Sequence, residues 1–145
     1  MTPDPTRRVA VENAITSTEP GARPGILVVD DDVPLLRMLD AVFVRQGFTV
    51  WTAADGRSAV DLYRRHQQSV TLVLLDVCMP GMDGLQTLHE LRCINPGVRA
   101  CFMSGFSGKY VPEELHSAGG LRFVQKPFDV LPLAEQMWQL ASGTA

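Results

Sequence analysis

In this 145-residue sequence, the side chains with the most chemical potential each follow an apolar run. Ile26-Leu27-Val28-Val29 ends in Asp30-Asp31-Asp32, Val70 to Leu75 ends in Asp76, Val98 to Met103 ends in Ser104, and Leu121 to Val124 leads to Lys126. Three acidic groups brought close together repel unless a cation joins them, and hard carboxylate oxygens with room for water suit Mg²⁺. A lysine and a hydroxyl opposite them would complete a site for a phosphoryl group: the ammonium neutralises its oxygens and the hydroxyl donates a hydrogen bond. An aspartate can itself be the nucleophile, forming an aspartyl phosphate. Asp76 is the best candidate. It follows the strand most apolar throughout, and the turn Val77-Cys78-Met79-Pro80-Gly81 leaves its carboxylate open. Asp30 and Asp31 are better placed to hold the metal.

These residues need strands to deliver them and helices to cover the strands. Continuous apolar runs rich in β-branched residues predict strands buried on both faces, hence a parallel sheet. After Asp32, Pro34 suits a first helical turn, and Leu35, Leu36, Leu39, Val42 and Phe43 recur at helical spacing until Gly47. Phe48 to Thr52 alternates like a second strand, and Asp55 or Ser58 starts a helix through Tyr63. A third helix carries Leu85, Leu88 and Leu91 and stops at Asn95-Pro96-Gly97. A weak helix over Val111 to Ala118 follows the fourth strand, and a last one runs from about Val130 to Ala141. Strand and helix alternate five times, which with right-handed crossovers predicts a doubly wound α/β sheet with helices on both faces. Ligands bind such sheets beyond the carboxyl ends of the strands, where all the residues above lie.

Composition narrows the function classes. A 46% hydrophobic, 20% charged chain is an ordinary globular protein. A net charge of −3 argues against a nucleic-acid binder held by a basic surface. No apolar run approaches the roughly 20 residues that span a bilayer, and no secretory segment opens the chain, so a cytoplasmic protein is expected. Residues 1–25, with Pro3, Pro5, Pro20 and Pro24, are expected to form a flexible leader with room for one helical turn around Val9–Ala14; an ordered docking segment is the alternative. Residues 26–141 then form the domain and 142–145 a short tail.

Four blocks in order and spacing carry a family resemblance: ILVVDDD at 26–32, LVLLDVCMPGMDG at 72–84, FMSG at 102–105 and FVQKPF at 123–128. Together they resemble the receiver domain of two-component response regulators, of the single-domain chemotaxis type, over about Ile26 to Leu140. The resemblance implies a flavodoxin-like (βα)₅ fold with a five-stranded parallel sheet. It implies Asp76 as phosphoacceptor, and Mg²⁺ held by Asp30, Asp31, Asp76 and the backbone carbonyl of Cys78. It further implies Ser104 as the switch hydroxyl, Lys126 as its partner with a cis bond to Pro127, and Phe123 at the aromatic switch position. The donor would be a histidine kinase or histidine phosphotransfer protein, and the output a downstream protein target. The family admits a homodimer, and no direct contact with nucleic acid or membrane is implied. Such a protein catalyses only its own phosphorylation and dephosphorylation. Cys78, two residues past the phosphoacceptor, cannot orient an attacking water as an amide or carboxylate does, and Phe106, two past the switch serine, is bulky and apolar; together they imply a shielded phosphoryl group and slow self-dephosphorylation.

Plainer readings compete at each position. Asp30–Asp32 could cap the first helix, a role that suits Asp32 best. His66, His89 and His116 lack acidic or cysteine partners at ligand spacing and read as solvated helix residues. Cys78, Cys93 and Cys101 lack CxxC spacing and read as small buried apolar residues, with Cys78 nearest the site. Two other classes are weaker. A haloacid dehalogenase-type phosphatase would use Asp30 and Asp32 as a DxD pair but needs a covering element the short loops do not provide. A phosphorylation-independent interaction module would not need a complete acidic set. A receiver cut from a hybrid histidine kinase would share every feature above.

Overall fold

The structure is a computed structural model describing residues 7–8, 23–105 and 112–143. Its centre is a sheet of β2 (Gly25–Val29), β3 (Thr49–Ala53), β4 (Leu72–Asp76), β5 (Ala100–Ser104) and β6 (Gly120–Gln125). These strands are parallel and lie in the order β3-β2-β4-β5-β6. The strands after which Asp30, Asp76, Ser104 and Lys126 stand are therefore neighbours. Five helices connect and follow them: α1 (Val33–Gln46), α2 (Gly56–His66), α3 (Gly84–Ile94), α4 (Pro112–Ser117) and α5 (Val130–Ser142).

Alternating side chains of the buried strands serve two separate cores. Leu27, Val29, Val73, Leu75 and Phe102 face one side, packed with Val60 and Tyr63 of α2, Leu88 and Leu91 of α3 and Leu115 of α4. Ile26, Val28, Leu72, Leu74 and Met103 face the other, with Leu39 and Phe43 of α1 and Leu133 and Met137 of α5. The period-two alternation of a strand thus explains why whole segments are apolar: each residue meets a helix on one side or the other.

Local chemistry sets the helix ends. Asp32 accepts a hydrogen bond from the Leu35 N–H at 3.2 Å, and Pro34 lies in the first turn of α1. Gly47 ends α1 with φ of 116°, a conformation that a side chain disfavours. Asp55 caps α2 through the Ser58 N–H at 2.7 Å. Asp83 and Gln86 form a reciprocal capping box on α3.

The sheet has one strand more than expected. Arg7–Arg8 (β1) pairs antiparallel with β3, Arg7 opposite Trp51 and Arg8 opposite Val50. Without it the backbone groups along that edge of β3 would face no strand. A two-residue strand carries no readable alternation, so composition alone pointed to a leader outside the sheet. Gly25, also assigned to the leader, begins β2, where a Cβ would lie 2.0 Å from the Ser69 carbonyl oxygen. The helical turn expected at Val9–Ala14 lies outside the described residues. No helix among the described residues is long and apolar enough to cross a membrane.

Candidate functional site

Asp30 stands immediately beyond β2 and is completely buried. Its Oδ1 accepts the Asp32 N–H at 2.9 Å and its Oδ2 accepts from Lys126 Nζ at 2.6 Å. The same Nζ lies 3.6 Å from Asp76 Oδ1. Asp76, at the end of β4, is 4% exposed, so its turn hides the carboxylate more than expected from sequence. Asp31 is exposed. One carboxylate oxygen from each of Asp30, Asp31 and Asp76 lies within 4.8 Å of the others. Three hard oxygen donors, one facing solvent, fit a small divalent cation that keeps part of its water. Asp32 does not join this group and caps α1 instead.

The backbone behind Asp76 is held from two sides. The Val77 N–H donates to the Met103 carbonyl at 2.8 Å, and the Gly84 N–H donates to the Val77 carbonyl at 2.9 Å. At Gly84 a Cβ would fall 2.5 Å from the Asp76 carbonyl oxygen and 2.8 Å from Val77 Cα. Only glycine lets the start of α3 approach so closely. The capping box at Asp83 fixes the same turn, so Asp83 and Gly84 support the site without being singled out for it from sequence. The Gly inside the LVLLDVCMPGMDG block was the available signal.

Ser104 ends β5 and is buried, and its Oγ has no hydrogen-bond partner among the described residues. Its carbonyl accepts the Lys126 N–H at 2.8 Å, which joins β5 and β6 at the site. The Lys126–Pro127 bond is cis. Phe123 is half-buried and lines a cavity of about 190 Å³ with Phe102, Leu115 and His116. Phe106 lies outside the described residues.

Electrostatics follow from this packing. Burial, and next the neighbouring Asp30 charge, push the Asp76 carboxyl up to about 7, while Lys126 and the Cys78 backbone N–H pull it down. Burial alone would lower the Lys126 pKa. Its hydrogen bond to Asp30 and the charges of Asp30 and Asp76 outweigh that and raise it. The ammonium thus stays charged among the carboxylates and holds part of their repulsion in check.

Two expectations outside the site fail. Cys78 and Cys93 are exposed, and only Cys101 is buried. Cys78 sits in a turn and Cys93 on the outer side of α3, where neighbouring apolar residues take the core positions. His66 is not a plain solvated residue: it is half-buried and stacks on Trp51, with ring centroids 5.0 Å apart. His89 and His116 are exposed.

The chain is thus a doubly wound α/β module with three acids, a hydroxyl and a lysine gathered at adjoining strand ends. The response regulator receiver domain model matches residues 26–137, and the chain belongs to that family. Sporulation initiation phosphotransferase F of Bacillus subtilis is 33% identical over 72% of this chain and 83% of its own length. The probable transcriptional regulatory protein TcrX of Mycobacterium tuberculosis is 37% identical over 72% of this chain but only 44% of its own length. The chain therefore spans less than half of that longer regulator. Among solved structures, a chain of the CheX-CheY-BeF3-Mg+2 complex from Borrelia burgdorferi is similar with a TM-score of 0.73 and 29% identity, covering 81% of this chain and 88% of that one.

Proposed function

We propose that this chain is a phosphorylation-activated signalling switch that takes a phosphoryl group onto Asp76 from a phosphohistidine of a histidine kinase or histidine phosphotransfer protein. The observation that carries this reading is the Lys126 ammonium set between Asp30 and Asp76 beside the unpartnered Ser104 hydroxyl. An Asp76 carboxylate oxygen forms the O–P bond as the donor's N–P bond breaks, its electron pair leaving on the imidazole nitrogen. Asp30, Asp31, Asp76 and the Cys78 carbonyl would hold Mg²⁺, which supplies charge neutralisation for the phosphoryl oxygens.

The product carries close to two negative charges. Lys126 then exchanges part of its attraction to Asp30 for the phosphoryl oxygens, and the Ser104 hydroxyl gains the acceptor it lacks. Lys126 and Ser104 are tied through their backbones, so this shift passes to β5 and β6 and to Phe123 between them and α4. That face, repacked, is what a downstream protein would read. A differential of about 5.5 kcal/mol moves such a two-state element from 1:99 to 99:1. The CheX-CheY-BeF3-Mg+2 complex and the phosphotransferase relative support the choice of ion, of chemistry and of a protein as partner. The receiver unit is residues 26–141, it works in the cytoplasm, and its chemistry is confined to gaining and losing its own phosphoryl group.

Phosphoimidazole, which has the N–P bond of phosphohistidine, tests the reading without a cognate kinase. Intact mass should show one added phosphoryl group with Mg²⁺ and none with EDTA. An unchanged mass with both phosphoimidazole and acetyl phosphate in Mg²⁺ would defeat it.

A further inference from the structure

The two edges of the sheet are closed in different ways. At one edge β6 carries Arg122, and between the Ala100–Gly120 and Phe102–Phe123 pairs it advances three residues where β5 advances two. Charge and broken register both discourage a further strand from pairing there. The opposite edge strand, β3, has neither device. No charged residue and no proline occurs between Arg45 and Asp55, and Phe48-Thr49-Val50-Trp51-Thr52 consists of residues that favour strands. Its pairing with β2 runs in unbroken register from Thr49 to Ala53.

What closes the β3 edge is β1. Arg7 and Arg8 pair antiparallel with Trp51 and Val50; Thr49, Thr52 and Ala53 have no strand partner on that side among the described residues. A very short strand of charged residue types is one of the devices that blunt a sheet edge. β3 does not depend on β1 for its place. Val50 belongs to the core under α1 and α5, and Trp51 to the core under α2, α3 and α4, where it also stacks on His66. β1 can therefore leave without unmaking the strand it covers, and so short an element opens at low free energy.

We infer that the β3 edge is a docking surface for a second copy of this chain, kept closed by β1. The edge is self-complementary. A two-fold axis between Val50 and Trp51 sets β3 antiparallel to its copy, the direction in which the edge already accepts β1. That axis brings Val50 opposite Trp51 and Thr49 opposite Thr52, a β-branched–aromatic pair and a Thr–Thr pair, both favourable across strands. The sheets of the two copies then join into one. This surface is separate from the phosphoryl site and does not rest on phosphoryl transfer.

The test is the oligomeric state of the full chain, by sedimentation from about 10 μM to about 1 mM. Of two neighbouring residues in an antiparallel ladder, one aims its N–H at the partner strand, and proline has none. Arg7→Pro combined with Arg8→Pro therefore releases β1. This variant should dimerise with Kd of about 0.1 mM, as suits a small interface, while the unaltered chain stays monomeric. Adding Thr49→Lys and Thr52→Lys places like charges opposite each other across the axis and should return the variant to monomer. Adding Thr49→Lys and Thr52→Glu instead places opposite charges there and should keep the dimer. A proline variant that stays monomeric, or a dimer that responds alike to the two charge patterns, would overturn the inference. So would an unaltered chain that dimerises as strongly as the proline variant, because β1 would then close nothing. Should the proline variant lose its fold, Arg7→Gly with Arg8→Gly, which weakens strand pairing, takes its place under the same predictions.

Discussion

Replacing Asp76 by Asn should make the metal-free protein more stable at pH 8. Burial and the Asp30 charge raise the Asp76 carboxyl from 3.8 to about 7, so ionising it in the folded state works against the fold. Between those two values the folded protein holds a proton that the unfolded chain has released, and stability falls as pH rises through that window. At 1.36 kcal/mol per pH unit the full cost is about 4 kcal/mol. Water entering beside the exposed Asp31 and relaxation around the ion pair reduce this, leaving about 1–3 kcal/mol. Asn keeps the size of the side chain without the charge. Urea unfolding in EDTA, with both proteins measured from pH 4 to 8, reads the difference, because all other titrating groups are shared. The variant's advantage should grow across that range and be smallest at pH 4. Mg²⁺ at a hundred times its Kd should return about 2.7 kcal/mol to the wild type and narrow the gap. A variant less stable than wild type at pH 8, or a gap that ignores pH, would refute the electrostatic account of the site.

Lys126→Met removes the cation between Asp30 and Asp76. It should cost about 1–3 kcal/mol of metal-free stability at pH 8, less at pH 4 where Asp76 is protonated, as read by urea unfolding. Gly84→Ala puts a methyl 2.5 Å from the Asp76 carbonyl oxygen; a loss of about 1–3 kcal/mol and slower phosphoryl uptake from acetyl phosphate are expected. Leu39→Ala, at a fully buried position on α1, should cost about 2–5 kcal/mol in urea while leaving phosphorylation of the folded fraction intact. Cys78 is exposed two residues past Asp76 and cannot orient water as an amide does; Cys78→Asn should shorten the phosphorylated lifetime about tenfold, followed by intact mass after donor removal.

Much of the architecture is written locally. Ile26 to Val29 and Leu72 to Leu75 are apolar at every position because they feed two cores, and that pattern names a parallel sheet before any contact is known. Asp32, Asp55 and Gly47 punctuate the helices through bonds that reach three or four residues. The meeting of Asp30 with Lys126 spans 96 positions, and it was legible only because both residues stand at the carboxyl ends of strands in one sheet. What depended on packing between distant elements was not legible. The clearance at Gly84 is set by Asp76 and Val77, the stacking of His66 by Trp51, and the exposure of Cys78 and Cys93 by which neighbours take the inward positions. The pairing of Arg7–Arg8 with β3 has no sequence signal of its own, since two arginines do not alternate.

Borohydride reduction of the phosphorylated protein tests the central claim most directly, because it converts an aspartyl phosphate into homoserine and leaves a permanent mark at the acceptor. After treatment with acetyl phosphate and Mg²⁺, peptide mass spectrometry should find homoserine at position 76 and at no other aspartate. Homoserine at 30 or 31, or phosphate retained on His66, His89 or His116 with position 76 unmodified, would contradict the account.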